Sequence, residues 1–133
     1  MQKQNSLHIS IKSFGYHRSG VPKEDDAHGG GYIFDCRGLP NPGRSIEYQF
    51  LTGQDDRVIR YLESFPQVEQ FYQHTLALVK QHADAFAERG FEKMSVAYGC
   101  TGGQHRSVYF SERLASDLKT LGYHVSLDHV DKP

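Results

Sequence analysis

The sequence predicts an α/β fold: a single domain with a small, mostly parallel sheet flanked by helices. Three observations support this class. Segments with strand patterns are interspersed with segments of helical periodicity, and the last three segments follow the order strand, helix, strand. The chain has 133 residues, about the size of one domain. Because a strand–helix–strand unit brings its strands together in parallel with a right-handed crossover, we expect one α/β domain over residues 1–133.

Four segments have the pattern of strands. In residues 7–12, the apolar Leu7, Ile9 and Ile11 alternate with polar residues, which predicts a strand with one covered face. The other predicted strands span residues 31–37, 94–99 and 123–127.

Three segments have helical periodicity. Asp55 is suited to N-cap a short helix, and Pro66 fits the first turn of a longer one that Gly90 closes. Gly122 stops the third helix, which carries apolar residues up to Leu121. The predicted helices span approximately residues 55–64, 66–89 and 105–121. Two long loops, residues 14–31 and 37–53, remain, and long loops in a compact domain are often functional.

The composition excludes several classes of protein. Fifteen Lys and Arg against sixteen Asp and Glu give a formal charge of −1, unlike a strongly basic nucleic-acid binder. No apolar run is long enough to span a bilayer, and the N-terminal segment lacks the apolar core of an export signal. We therefore expect a cytoplasmic protein, with no membrane association, in which Cys36 and Cys100 are reduced.

The strongest functional signal is the segment 96–108, VAYGCTGGQHRSV. A strand enters a glycine-rich turn and a helix leaves it, so free N–H groups and the positive end of the helix dipole converge there. Gly102 and Gly103 allow a ligand to approach the backbone, and Arg106 adds a planar fork suited to phosphate oxygens. These features predict an oxyanion site. The alternative is that the glycines serve only tight packing of strand against helix.

The same segment contains a second pattern: Cys100, five residues, then Arg106 and Ser107. This spacing resembles the phosphate-binding signature of cysteine-dependent protein phosphatases. In that reaction a thiolate attacks phosphorus while the arginine holds the oxygens. A carboxylic acid must also protonate the leaving group. The candidates for that acid are Asp25, Asp26 and Asp35. The other interpretation of Cys100 is a small buried residue at a strand end.

The loop after the second strand, DCRGLPNPG, is a further candidate. If the second and third strands are parallel neighbours, their carboxyl ends share one crevice, where α/β sheets bind ligands. Arg37 and Asn41 would then join Arg106 around one anion. The alternative is that Arg37 pairs with Asp35 or caps a turn.

The histidines raise the question of a metal. His17, His28 and His105 lie in glycine-rich loops, but their spacing matches no metal-binding framework. We expect them to be loop histidines, and we expect neither a metal nor a cofactor.

Four segments, in order, resemble the C-terminal domain of the RapZ family of bacterial RNase adapter proteins. They are SFGYHRSGVP, GYIFDCRGLPNPG, LTGQDDRVIRYL and GCTGGQHRSVY. Together the resemblance covers roughly residues 7–127, nearly the whole chain.

The resemblance implies a ligand and a role. In this family the domain binds glucosamine-6-phosphate, carries an RNA-binding function that presents small RNAs to an RNase, and self-associates. Carried over, the sugar-phosphate site falls on the segment from Thr101 to Ser107, and the loop at His17 faces it. With the second-loop candidates, the expected ligand-binding residues are Thr101, Gly102, Gly103, Gln104, His105, Arg106, Ser107, Arg37, Asn41 and His17.

The sequence also departs from the family. No Gly-x-x-x-x-Gly-Lys-Ser/Thr string occurs, so we expect the family's nucleotide-binding domain to be absent. The tail after residue 125 has one Lys and two Asp, whereas RNA-binding members are basic there, and cationic side chains supply most non-specific RNA affinity. From the resemblance as a whole, we expect a sensor or adapter module rather than an enzyme. Its expected partners are a phosphorylated small molecule, a protein and further copies of itself, with RNA as an alternative.

Overall fold

The computed structural model describes residues 7–23 and 30–131. Within these ranges, four strands form one sheet in the order β2-β3-β1-β4, and all three strand pairs are parallel. The strands are β1 (His8–Gly15), β2 (Gly31–Asp35), β3 (Lys93–Cys100) and β4 (His124–His129). The helices are α1 (Asp56–Glu63), α2 (Pro66–Glu88) and α3 (Arg106–Thr120). The predicted α/β class is confirmed.

Strand β1 is longer than the sequence pattern predicts. The strand continues past residue 12 to Gly15. The sequence pattern ends too early because Ser13 and Phe14 are both buried, so polar and apolar residues no longer alternate there. The first loop therefore begins at Tyr16 rather than at residue 14. Strand β2 ends at Asp35, two residues early, and the second loop contains two short 3-10 turns, Pro42–Arg44 and Ile46–Tyr48.

Helices α1 and α2 bury one face each, whereas the first six residues of α3 are all buried. The buried side chains of α2 recur at spacings of three and four, as an amphipathic helix requires: Val68, Tyr72, Thr75, Val79, Ala83 and Ala87. On α3, Phe110 is fully buried and its ring lies 5.5 Å from that of Tyr98. No helix of the described ranges is both long and apolar enough to cross a bilayer.

The structure confirms Asp55 at the N-cap position of α1, and two details of the helix ends differ from the predictions. Asp55 occupies the N-cap position of α1, but its side chain caps no helical N–H. Its carboxylate instead accepts a hydrogen bond from the backbone N–H of Thr52 at 2.7 Å, which closes the preceding turn. Leu121 is the C-cap residue just beyond α3 and is 52% exposed.

The parallel sheet brings the ends of its strands to one edge. In register, Gly15 of β1 is beside Cys100 of β3, and Asp35 of β2 is beside Gly99. The loops that follow β1, β2 and β3 therefore leave the sheet side by side. This confirms that the second and third strands are parallel neighbours whose carboxyl ends share a crevice.

The ring of Phe110 provides a test of this core. Replacing Phe110 with Ala removes a fully buried ring, so we expect the free energy of unfolding to fall by about 3–5 kcal/mol. Phe50, which is 86% exposed, is the matched control, and Phe50→Ala should change it by less than about 0.5 kcal/mol. Urea unfolding measures both. Equal losses in the two variants would contradict this description of the core.

Candidate functional site

A cleft of about 220 Å³ lies at the carboxyl edge of the sheet. One wall is the segment 100–106, which we call the anion loop, and the other comes from residues 41–49. The side chains and backbone that line it belong to Asn41, Gly43, Gln49, Cys100, Thr101, Gly102, Gln104, His105 and Arg106. Pockets for drug-sized ligands hold roughly 300–1,000 Å³, so this cleft suits a smaller metabolite. None of the lining residues is acidic.

The anion loop supplies free backbone donors. The N–H groups of Gly102, Gly103 and Gln104 find no acceptor among residues 7–23 and 30–131. They come just before the first turn of α3, where the helix dipole adds a partial positive charge. The arrangement can bind an anion through its backbone alone.

Arg106 is a buried cation held by carbonyl groups. It is 3% exposed, and its Nη1 donates to the carbonyl oxygens of Leu39 at 2.9 Å and Arg37 at 3.1 Å. A longer contact of 3.4 Å joins Nη1 to the carbonyl of Cys36, and Nη2 lies 3.4 Å from Thr101 Oγ1. The Nε–H is buried and has no partner in the described part of the chain.

These contacts leave one edge of the guanidinium without a strong partner. Both N–H bonds of Nη1 are used by carbonyls, whereas Nε is unpartnered and Nη2 is engaged only by a long contact with Thr101. The Nε and Nη2 edge of arginine binds two oxygens of a phosphate or carboxylate side by side. No carboxylate pairs with this buried charge in the described ranges, although burying an unpaired charge is costly. The charge of Arg106 helps to lower the pKa of the Asp35 carboxyl nearby, and an anion bound in the cleft would add a counter-charge in direct contact.

His105 contributes an acceptor to the same cleft. Its Nε2 lies 2.9 Å from the carbonyl oxygen of Tyr48, and because a carbonyl can only accept, the proton is on Nε2. Burial lowers the pKa of His105 below its usual 6.5, so the ring is neutral at pH 7. Its Nδ1 is then an acceptor beside Gly43, where a Cβ would lie 3.5 Å from that atom.

Gln104 fastens the two walls together. Its Nε2 donates to the carbonyl oxygens of Gln49 at 2.9 Å and Leu51 at 2.7 Å. Its own carbonyl accepts from the N–H of Gly53 at 3.0 Å. Glycine is required at position 53, since a Cβ there would lie 2.3 Å from the carbonyl oxygen of His105. The second wall is therefore held against the start of α3.

Six of the ten residues expected to bind ligand line this cleft, and Arg37 is not among them. Its guanidinium pairs with the carboxylate of Asp35 at 2.7 Å and stacks on the ring of Tyr16, 3.7 Å from the centroid. The structure therefore agrees with the alternative interpretation, in which Arg37 pairs with Asp35.

The same ion pair bears on the candidate general acids. The side-chain hydrogen bonds from Arg37 lower the pKa of Asp35, which makes Asp35 a poor general acid. The other two candidate acids, Asp25 and Asp26, lie outside the described residues.

Three other expected residues do not line the cleft. Gly103 has a φ of 75° and packs away from the cleft against Gly15. Ser107 is fully buried, and its N–H donates to Cys100 Sγ at 3.4 Å. The N–H of His17 donates to the carbonyl of Thr101 at 3.0 Å, while its side chain is exposed.

The sequence analysis included Gly43 in the candidate loop 35–43 but missed Gln49, which belongs to no motif with a known chemical role. It also gave no role to Asp131, which is 6% exposed. His28, one of the three histidines considered for a metal, lies outside the described residues. Within the ranges described, no three His, Cys, Asp or Glu side chains are grouped as metal ligands would be.

The chain was compared with known protein families. The family model of the RapZ C-terminal domain matches residues 7–133 of this chain. The match includes all four strands, all three helices and both walls of the cleft.

His105 predicts a dependence of stability on pH. Because its pKa is lower in the folded than in the unfolded chain, the unfolded chain binds more protons as the pH falls below 6.5. His105 should therefore destabilise the fold progressively over that range. In His105→Gln the free energy of unfolding should fall less between about pH 7.5 and about pH 5.5 than in the wild type. His74→Gln, on the exposed face of α2, is the control. Identical pH slopes in the wild type and His105→Gln would refute the prediction.

Proposed function

The chain belongs to the RapZ C-terminal domain family, and from this premise we propose that it binds a small phosphorylated metabolite as a sensor or adapter module. The ligand proposed is an amino-sugar phosphate such as glucosamine-6-phosphate. Membership of the family supports a regulatory or adapter role in general. The observation that carries the ligand class is the buried guanidinium of Arg106, which faces the cleft without a carboxylate partner in the described ranges.

The phosphate group fits the anion loop. Its oxygens can accept from the free amides of Gly102 and Gln104 and from the guanidinium of Arg106, which lines the cleft. A phosphate dianion also neutralises the buried cation, which the carbonyls of the second loop only solvate. The binding energy of the phosphate therefore includes relief of an existing electrostatic cost.

Two side chains, Asn41 from the second wall and His105 from the anion loop, suit a hydroxylated, amine-bearing ligand. Asn41 Oδ1 accepts from the N–H of Gly43 at 2.9 Å, so the Asn41 amide nitrogen remains a donor for a hydroxyl. The Nδ1 of neutral His105 accepts from a hydroxyl or an ammonium group. A sugar phosphate would use both walls, whereas inorganic phosphate would use only the anion loop. This difference is the basis for selectivity.

The proposal predicts selective stabilisation by the sugar phosphate. A ligand at a hundredfold excess over its dissociation constant stabilises the folded state by about 2.7 kcal/mol. We expect glucosamine-6-phosphate to raise the melting temperature of the wild type, and glucosamine and inorganic phosphate to have much smaller effects. Thermal-shift titrations with the three compounds test this. If inorganic phosphate stabilises as well as the sugar phosphate, the loop is a general oxyanion site and the proposed ligand is wrong.

Arg106→Lys tests the residue that carries the proposal. Lysine keeps the charge but has no planar edge for two phosphate oxygens, so binding should weaken by about 1.5–3 kcal/mol, the range for charged hydrogen bonds. Arg60→Lys, on the exposed face of α1, is the matched control and should bind normally. Because Arg106 also holds the second loop, the stability of each variant without ligand is measured alongside. Normal affinity in Arg106→Lys would remove the basis of the proposal.

A phosphatase remains the second candidate, because Cys100 and Arg106 line the same cleft. Two contacts oppose it: carbonyls occupy Nη1 of Arg106, and Arg37 holds Asp35 as a carboxylate. We expect p-nitrophenyl phosphate to be hydrolysed no faster by the wild type than by Cys100→Ser. Turnover by the wild type that Cys100→Ser abolishes would establish thiolate catalysis instead.

A further inference from the structure

A buried carboxylate closes the turn that follows β1. Asp131 comes two residues after β4 and is 6% exposed. Its Oδ2 accepts from the backbone N–H of Gly15 at 2.8 Å and from that of Ser19 at 3.3 Å. The Ser19 hydroxyl donates to its Oδ1. The carboxylate thus binds both ends of the turn formed by residues 15–19.

This turn lies directly behind the anion loop. The N–H of Tyr16 donates to the carbonyl of Cys100 at 2.8 Å. The approach is close, since a Cβ on Gly15 would lie 2.6 Å from the carbonyl carbon of Gly102. Any shift of the turn must therefore move the anion loop.

Asp131 also touches the anion loop itself. A Cβ on Gly103 would lie 3.0 Å from the Cβ of Asp131 and 2.8 Å from the backbone nitrogen of Gly15. Gly103 adopts a φ of 75°, which glycine accommodates without strain. The guanidinium of Arg18 spans the same region, with Nη1 3.5 Å from the carbonyl of Gly102 and 3.4 Å from that of Asp131. Turn, loop and carboxylate form one packed unit.

We propose that Asp131 is a positioning residue of the anion site, which fixes the turn of residues 15–19 and, through it, the direction of the anion-loop amides. This inference rests on the proposed function, because it assigns Asp131 to the same site. Amides that are already aligned lose little freedom when an anion binds, and supporting hydrogen bonds maintain that alignment. Asp131 contributes to affinity without lining the cleft.

Asp131→Asn keeps the shape of the side chain but removes one of the two acceptor oxygens and the charge. We expect the dissociation constant for glucosamine-6-phosphate to rise by about tenfold, as for other residues that orient a binding group. Ser19→Ala loses only the hydroxyl contact with Asp131, so it should raise the dissociation constant by a smaller factor. Asp117→Asn is the control, because Asp117 accepts from Tyr72 near the opposite end of α3. It should leave the dissociation constant unchanged.

A second readout separates positioning from general stability. In the ligand-free protein, the amide ¹H–¹⁵N resonances of Gly102 and Gly103 should shift in Asp131→Asn and not in Asp117→Asn. This measurement needs no ligand, so it tests the positioning role even if the sugar phosphate fails to bind the wild type. Isothermal titration gives the affinities, and urea unfolding gives the stability of each variant. Unchanged affinity together with unchanged glycine resonances in Asp131→Asn would overturn the inference.

Discussion

The site depends on the hydrogen bonds that the guanidinium of Arg106 donates to the loop after β2. Arg106 begins α3, yet its Nη1 donates to carbonyl oxygens of the loop after β2, so it joins two neighbouring strand ends. A lysine could not reach several carbonyls at once from one planar group. The same contacts leave a cation in a buried position with carbonyl dipoles around it and no carboxylate pairing with it in the described ranges. This buried cation is the physical basis of the anion binding proposed above.

The cleft depends equally on close approaches between backbones. The second wall reaches α3 only because Gly53 has no side chain, and the anion loop rests on the turn after β1 only because Gly15 has none. Gln104 then joins the walls through two carbonyls of the second loop. The walls are therefore held at a set separation before any ligand arrives, and a ligand loses less entropy when the site is already formed.

The ion pair between Arg37 and Asp35 shows how one contact removes two candidate roles. Arg37 is turned away from the cleft onto the ring of Tyr16, and Asp35 is kept as a carboxylate. One positive side chain thus remains at the cleft, that of Arg106. The amides and the one guanidinium that line the cleft support the proposed binding of an anion.

The sequence by itself determined the fold class and the anion loop. Both depend on local patterns: strand and helix periodicity, and a strand–turn–helix whose geometry follows from consecutive residues between Cys100 and Arg106. Tertiary structure alone decided which other residues join that loop. Asp131 meets Gly15 across 116 positions of sequence, because β1 lies between β3 and β4 in the sheet. Strand order is set by the packing of the whole chain, and no local pattern in the segment after β4 indicates that its carboxylate is buried beneath the site.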